Sequence, residues 1–202
     1  PYPENATIPI ITKSGDISDP TVSANIISSR PDVIFHLAAI VSGQAEQEFD
    51  LGWNINAKGS WGLFEAIRSE GDDYCPRVVF TSSIAVFGSP FPDKIPDDFF
   101  TTPLTSYGAQ KAISELLLAD YSRKGMIDGI SIRLPTICVR PGKPNLAASG
   151  FFSGIIREPL NGKEAILPVN TDVRHWHATP RSAAGFIIHA SEIDTKKLNN
   201  RI

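Results

Sequence analysis

Two short apolar runs constrain the fold of this chain more than any other feature of its sequence. One covers residues 32–41, and the other covers residues 77–81 and ends at Ser82 and Ser83. Apolar runs of this length, without polar alternation, are typical of strands that are buried on both faces. Such strands occur almost only in parallel sheets covered by helices. The sequence therefore predicts a parallel sheet at the centre of the molecule.

Segments with helical spacing of apolar residues separate these strands. The predicted helices cover residues 20–30, 49–68 and 107–124, and a further strand is predicted over 129–134. A strand, a helix and a parallel strand repeated in this way indicate an α/β fold, a Rossmann-like doubly wound parallel sheet. A short strand from Thr7 to Thr12 is also expected at the beginning of the chain.

The composition changes after Pro135, where glycine, proline, asparagine and serine become frequent. A helix over 151–160, a short strand from Ala165 to Val169 and a helix over 182–191 are the regular elements expected there. We therefore divide the chain into a dinucleotide-binding domain (1–140), a small substrate-binding lid (141–180), and a helix with a polar tail (181–202).

Charge and cysteine content exclude several classes of function. The net charge is -3 and no run of Lys or Arg occurs, so neither nucleic acid nor an anionic membrane is an expected partner. No apolar run is long enough to span a bilayer. The two cysteines have no spacing suited to zinc or to a CxxC redox pair, which predicts no metal site and a reduced, cytoplasmic setting.

Three polar residues form a candidate catalytic set. Tyr107 and Lys111 are four residues apart on a predicted helix, so their side chains share one face. A neighbouring ammonium is expected to lower the pKa of the phenol and make it a usable base. Ser83 ends a buried strand, where a parallel sheet delivers polar groups to its carboxyl edge, and its hydroxyl could bind a substrate oxygen.

Neither part of this set is specific alone. A Tyr and a Lys at this spacing often decorate an exposed helix, and a serine at a strand end is commoner still. What favours catalysis is their order together: serines at the strand end, a proline-rich loop over 88–103, and a tyrosine at the start of a strong helix.

Several motifs resemble those of the extended short-chain dehydrogenase/reductase family, which includes sugar-nucleotide epimerases and dehydratases. The likeness covers nearly the whole chain. The motifs that resemble the family are His36-Leu-Ala-Ala39, Asn56-Ala-Lys-Gly-Ser60, Val79-Phe-Thr-Ser-Ser-Ile-Ala-Val-Phe-Gly88, Tyr107-Gly-Ala-Gln-Lys111 and Arg133-Leu-Pro-Thr136.

The resemblance implies a role for each matching position. Ser83, Tyr107 and Lys111 would be catalytic, and NAD would be the cofactor, with NADP not excluded. The residues that would contact the cofactor are Asp16, Ile17, Leu37, Ala38, Ala39, Asn56, Thr81, Ser82, Tyr107, Lys111 and Pro135. For His36, Ala38, Ala39 and Asn56, close packing remains the competing explanation.

Within the family, residues 133–145, 148–153 and 174–177 are most similar to dehydrogenases that oxidise a four-carbon sugar acid. The resemblance implies oxidation of a secondary alcohol, with C2 as the candidate position. Arginine can bind a carboxylate through two parallel hydrogen bonds, although Arg140 or Arg174 could equally pair with a surface acid. The candidate substrate-binding residues are Ser83, Arg140, Asn145, Ser149, Ser153, Arg174 and His177.

Two other functions remain open from the sequence. One is a nucleotide-sugar epimerase or dehydratase, against which Val139-Arg140-Pro141 argues, because such enzymes usually have Tyr-Gly-Pro there. The other is a non-catalytic dinucleotide-binding protein, which would have no need of the Tyr107 and Lys111 pair.

The chain departs from the family in one respect. The family begins with a strand, a glycine-rich turn and a helix that hold the cofactor pyrophosphate, and this sequence has no such motif. We therefore expect these first βαβ elements to belong to a longer polypeptide of which this sequence is a part. The family likeness also implies a homodimer, formed by the helices over 53–68 and 106–124.

Overall fold

Three parallel strands form the central sheet in the computed structural model, which describes residues 8–143, 145–198 and 201–202. They are β1 (Val33–His36), β2 (Arg77–Ser83) and β3 (Asp128–Leu134), in the order β1-β2-β3. Val33 is opposite Arg77, and Arg77 is opposite Asp128. The predicted parallel sheet is confirmed, although β1 is shorter than the apolar run that predicts it.

Helices cover both faces of this sheet. The α-helices are α1 (Pro20–Ile27), α2 (Ser42–Gln47), α3 (Phe49–Gly52), α4 (Gly59–Ser69), α5 (Ser106–Arg123), α6 (Phe151–Leu160) and α7 (Pro180–Glu192). Helices α1, α4 and α5 pack together on one face, around Phe64 and Phe80. Helix α7 packs on the other face, against Val79 and Ile130. The doubly wound α/β fold is thereby confirmed.

The helix predicted over 49–68 is not a uniform α-helix. Between α3 and α4, Trp53–Lys58 adopts the wider π-helical form, and the helical run extends from Phe49 to Ser69. A π-helical segment contains one extra residue per turn, so it turns side chains away from the positions of a regular helix. The same segment contains Asn56, whose contacts are described below.

Two predicted strands are wrong. No strand forms over residues 8–12, where Ile8 and Ile11 are 76% and 81% exposed, and Thr7 lies outside the described residues. Residues 165–169 form no strand either: no described strand lies beside them to pair with, Ile166 is 77% exposed, and Pro168 lacks a backbone donor. A second small sheet forms elsewhere, with β4 (Thr136–Ile137) parallel to β5 (His177–Ala178).

Arg77 ties the end of α7 to the start of the central sheet. Its Nη1 donates to the carbonyl oxygens of Ala190, Ser191 and Ile193 at 3.0 to 3.1 Å. Its Nε and Nη2 donate to Asp128 Oδ2 at 2.9 and 2.6 Å. A cation at a helix C-terminus meets the negative end of the helix dipole and carbonyls that have no partner within the helix.

Arg77→Met is expected to lower the free energy of unfolding by about 2 to 4 kcal/mol, since it leaves Asp128 and three carbonyls without this donor. Urea denaturation followed by circular dichroism measures the change. Arg123→Met is the matched control: its ion pair with Asp120 is 70% and 62% exposed, so its loss should cost less than about 0.5 kcal/mol. Equal losses in the two variants would contradict the anchoring role of Arg77.

Candidate active site

The polar residues predicted to be catalytic gather where β2 ends and α5 begins. Ser83 is the last residue of β2, and Tyr107 is the second residue of α5. Thr105 caps the helix, because its side chain accepts a hydrogen bond from the Gly108 amide at 3.1 Å. Ser83 Oγ accepts from the Ala85 amide at 3.1 Å, and the Ser83 side chain is close enough to Tyr107 to act on the pKa of its phenol.

The electrostatic environment of Tyr107 differs from the expectation. Burial raises the pKa of the phenol, and the Ser83 side chain only partly opposes this. The pKa of Tyr107 is therefore raised overall, whereas the sequence predicts that Lys111 lowers it. The ammonium of Lys111 lies 5.7 Å from the centre of the Tyr107 ring and donates to another acceptor.

Lys111 is almost completely buried, with 2% of its surface exposed. Its Nζ donates to the carbonyl oxygen of Thr81 at 2.7 Å and lies 4.7 Å from the centre of the Phe80 ring. Burial lowers the pKa of the ammonium to about 8, and the charge of Glu115 acts in the opposite direction. Lys111 is thus close to its titration midpoint under mildly alkaline conditions.

Gly108 lets α5 approach the turn that follows Ser83. A Cβ at this position would lie 2.2 Å from the carbonyl oxygen of Ala85 and 3.0 Å from the Cβ of Pro103. Real side chains do not tolerate the shorter of these distances, so any larger residue would push the start of α5 away from β2. The contact between Tyr107 and Ser83 therefore depends on a glycine here.

Gly108→Ala is expected to lower turnover by about 10²-fold, the cost of moving a reacting group by about 1 Å. Steady-state kinetics with the substrate that is proposed below measures this loss. Gly62→Ala is the matched control, since a Cβ at Gly62 in α4 meets no atom within 4 Å. That change should keep full activity and raise helix stability by about 0.5 to 1 kcal/mol. If both variants keep full activity, the close approach is not required.

Asn56 lies in the π-helical segment and hydrogen-bonds both the segment that follows β1 and helix α5. Its Oδ1 accepts from the Ile40 amide at 2.9 Å, and its Nδ2 donates to Gln110 Oε1 at 2.8 Å. Both side chains are 1% exposed. Gln110 is not among the predicted site residues, although it lies between Tyr107 and Lys111 on the same helix.

The residues predicted to contact the cofactor differ in their exposure. Leu37, Ala38 and Ala39 are exposed just after β1, and the exposed Asp16 accepts from the Ser18 amide at 2.9 Å. Thr81, Ile17 and Pro135 are partly exposed, whereas Asn56 and Ser82 are buried.

The predicted substrate-binding residues are less uniform. Ser153 is 1% exposed, and its Oγ accepts from the Arg140 amide at 3.0 Å, so this hydroxyl has a structural partner. The Asn145 side chain accepts from the Ala147 amide at 3.1 Å. Arg174 is exposed, and Arg140 and Ser149 are partly exposed.

An open pocket of about 310 Å³ connects Pro135 to His177. The ring of His177 packs edge-on to Phe152 of α6, with 4.6 Å between ring centres. The lining residues are Ile84, Arg133, Pro135, Trp176, His177, Ala178 and Phe186. A larger cavity of about 390 Å³, between α3 and the start of α5, includes neither Tyr107 nor Ser83. The pocket at His177 is not lined by these two residues either, but it contains Pro135 and His177, which are predicted to bind cofactor and substrate. We therefore regard it as the better candidate for substrate.

Neither a metal site nor a membrane span is found in the part of the chain that the structure describes. Among residues 8–143, 145–198 and 201–202, no three His, Cys, Asp or Glu side chains group in a way that could hold a metal ion. Nor is any of the described helices long and apolar enough to cross a bilayer.

Comparison with known proteins adds a consistent set of relatives. Residues 3–186 match the model of the NAD dependent epimerase/dehydratase family. D-erythronate dehydrogenase of Cupriavidus necator is 50% identical over 98% of this chain and 60% of its own length. D-erythronate dehydrogenase of Haemophilus influenzae is 46% identical over 90% of this chain and 57% of its own.

A solved structure is similar over the full chain. The nucleoside-diphosphate-sugar epimerase from Agrobacterium tumefaciens is 60% identical and superposes with a TM-score of 0.93. The match covers 100% of this chain and 59% of that one. The chain thus spans about 60% of the length of these relatives.

Proposed function

Since the chain belongs to the NAD dependent epimerase/dehydratase family, we propose that it forms the catalytic part of an NAD-dependent dehydrogenase that acts on a small sugar acid. D-erythronate or a close relative is the proposed substrate, oxidised at C2. The observation that carries the proposal is the position of Tyr107 at the start of α5, near Ser83 at the end of β2, with the buried Lys111 ammonium 5.7 Å from the centre of its ring. Relatives named D-erythronate dehydrogenase, at 46% and 50% identity, support the substrate class.

Each of the three residues has a distinct task in this mechanism. Ser83 donates a hydrogen bond to the substrate oxygen and orients the alcohol. Tyr107 Oη takes the proton of that alcohol as general base. Lys111, while protonated, places a positive charge near the tyrosine and offsets part of the cost of forming the phenolate. Because burial raises the pKa of Tyr107, this assistance is needed for proton transfer near neutral pH.

The exposed surface at the carboxyl ends of the strands suits one half of the proposed cofactor. When bound, NAD supplies the hydride acceptor for the oxidation. Leu37, Ala38 and Ala39 form an exposed apolar surface, and the Asp16 carboxylate offers an acceptor for the adenine. Lys111 and Pro135 would hold the reactive end. This sequence contains no glycine-rich turn that would bind the pyrophosphate.

The lid residues support a substrate that carries a carboxylate. Arg140 and Arg174 are at least partly exposed, and His177 lines the pocket beside Pro135. An arginine fork can bind a carboxylate through two hydrogen bonds, which a neutral sugar would not use. The Asn145 amide and the Ser149 hydroxyl remain candidates for the sugar hydroxyls, whereas Ser153 is buried and binds the Arg140 amide.

A nucleotide-sugar epimerase is the second candidate function. Its support is the solved structure of that name, at 60% identity. Val139-Arg140-Pro141 argues against it, since sugar-nucleotide enzymes of the family usually have Tyr-Gly-Pro at this point.

The two activities are separable in one assay. The protein is incubated with NAD and either D-erythronate or a UDP-linked hexose, and absorbance at 340 nm is followed. A steady rise with D-erythronate alone supports the dehydrogenase. Conversion of the nucleotide sugar without net NADH would replace it with the epimerase. Activity with neither would favour a dinucleotide-binding protein without catalysis.

The homodimer implied by the family likeness is also part of this proposal. Trp61 of α4 and Leu116 of α5 are 48% and 67% exposed, and apolar side chains of this size are typical of interface cores. Light scattering of the purified protein should give twice the mass of one chain. A monomer would exclude these helices as an interface.

A further inference from the structure

A buried ion pair lies one helical turn beyond Lys111. Arg133 of β3 donates from Nε to Glu115 Oε1 at 3.0 Å and from Nη2 to Oε2 at 2.9 Å. The side chains of Glu115 and Arg133 are 2% and 19% exposed. The guanidinium of Arg133 also lies 4.9 Å from the centre of the Phe87 ring. Both charges are therefore largely removed from water.

A buried ion pair is not needed merely to hold α5 against β3. Removing two charges from water costs several kcal/mol, and their attraction repays this cost at best in part. Apolar contacts already join α5 to the sheet, for example through Leu118 and Phe80 in the same core cluster. A pair of charges in this place therefore calls for an electrostatic explanation.

The charge nearest to this pair along α5 is Lys111. Its ammonium is 2% exposed and has one carbonyl acceptor, the oxygen of Thr81. Burial lowers the pKa of Lys111 to about 8, and Glu115 opposes that effect. His36 of β1 also faces the ammonium, but burial and the charge of Lys111 lower its pKa to about 3, so it is neutral at working pH.

We propose that Glu115 is a positioning residue that keeps Lys111 charged beside Tyr107, and that Arg133 limits how strongly the carboxylate acts. This inference rests on the proposed function, since it assigns a task to the protonated Lys111. Glu115 is one turn from Lys111 on the same helix, whereas Arg133 approaches the carboxylate from β3. The two partners therefore act on the ammonium with opposite signs.

Opposite signs distinguish this role from a purely structural one. Glu115→Gln removes the attraction and leaves Arg133 as an uncompensated cation, so Lys111 should lose its proton at lower pH. Arg133→Gln leaves the carboxylate unpaired, so Lys111 should keep its proton to higher pH. A structural brace would respond to both changes in the same way, through loss of stability.

The protonation of Lys111 can be measured directly. Lysine labelled with ¹³C at Cε and ¹⁵N at Nζ gives NMR signals that titrate with pH even for a buried side chain, and Lys111→Arg identifies the signal by its loss. We expect the midpoint to fall by about one pH unit in Glu115→Gln and to rise by about one in Arg133→Gln. Asp120→Asn, in an exposed pair on the same helix, is the matched control and should leave the midpoint unchanged.

In the double variant Glu115→Gln/Arg133→Gln, neither member of the ion pair is left as a lone buried charge. This variant takes the place of Arg133→Gln if the single variant does not fold. Its midpoint should lie above that of Glu115→Gln. Midpoints that do not move, or that move in the same direction in both single variants, overturn the inference.

Turnover with D-erythronate tests the link to catalysis separately. The alkaline decline of kcat should move to lower pH in Glu115→Gln, and Glu115→Asp, which keeps the charge, should restore most of it. If the NMR midpoints move as expected and the pH profile of turnover does not, the role of the pair stands and the Tyr107 and Lys111 mechanism is overturned.

Discussion

Tyr107→Phe is expected to lower kcat with D-erythronate by about 10² to 10⁴-fold, the usual contribution of a general base. The change removes one oxygen and keeps the ring, so the packing around Lys111 and Phe80 should persist. The dissociation constant of NADH, measured by fluorescence titration, should therefore stay close to that of the unchanged protein. A loss of kcat with unchanged cofactor affinity is the signature of an interaction made in the transition state.

Tyr121→Phe provides the matched control for this experiment. Tyr121 is on the same helix, and its hydroxyl is hydrogen-bonded to Glu65 of α4, away from Ser83. Its loss should leave turnover unchanged. If Tyr107→Phe also retains full turnover, another group abstracts the proton and the proposed mechanism fails.

Phe64→Ala should give the largest loss of stability. Phe64 is 0% exposed, packs edge-on to His36 with 6.4 Å between ring centres, and contacts Tyr121 at 5.9 Å. Replacing a buried Phe with Ala leaves a cavity and costs about 3 to 5 kcal/mol. For a chain of this size, the midpoint of thermal unfolding should fall by roughly 10 °C.

Phe91→Ala is the corresponding surface change. Phe91 is 56% exposed in the proline-rich loop, so its loss should change the free energy of unfolding by less than about 0.5 kcal/mol. Differential scanning calorimetry of both variants gives the comparison. A small effect at Phe64 would mean that the cluster around α4 is not the core of this face.

The parts of the fold that were best predicted are those that local sequence patterns mark, such as apolar runs and helical spacing. Residues 77–81 and 129–134 are apolar runs, and α5 has apolar residues at helical spacing, so their positions were predicted within a few residues. Helix α6 begins and ends where it was predicted. The residues 165–169 run failed because a strand requires a neighbour, and local sequence does not reveal whether one is present.

In the candidate site, the pKa shifts were harder to predict than the choice of candidate residues. Ser83, Tyr107 and Lys111 follow from motif spacing. The direction of the Tyr107 pKa shift does not, because it depends on how deeply the phenol is buried. Glu115 and Arg133 were missed because they are 18 residues apart and meet only through the packing of α5 on β3.

The π-helical segment Trp53–Lys58 makes this part of the helix sensitive to the insertion or deletion of a residue. An α-helix advances by about 100° per residue, so deleting a single residue here would restore a regular helix and rotate everything before it by about that angle. Asn56 would then no longer meet both Ile40 and Gln110. Insertions and deletions are usually tolerated at the ends of helices, but in this helix the constraint lies in its middle, where the count of residues is itself part of the architecture.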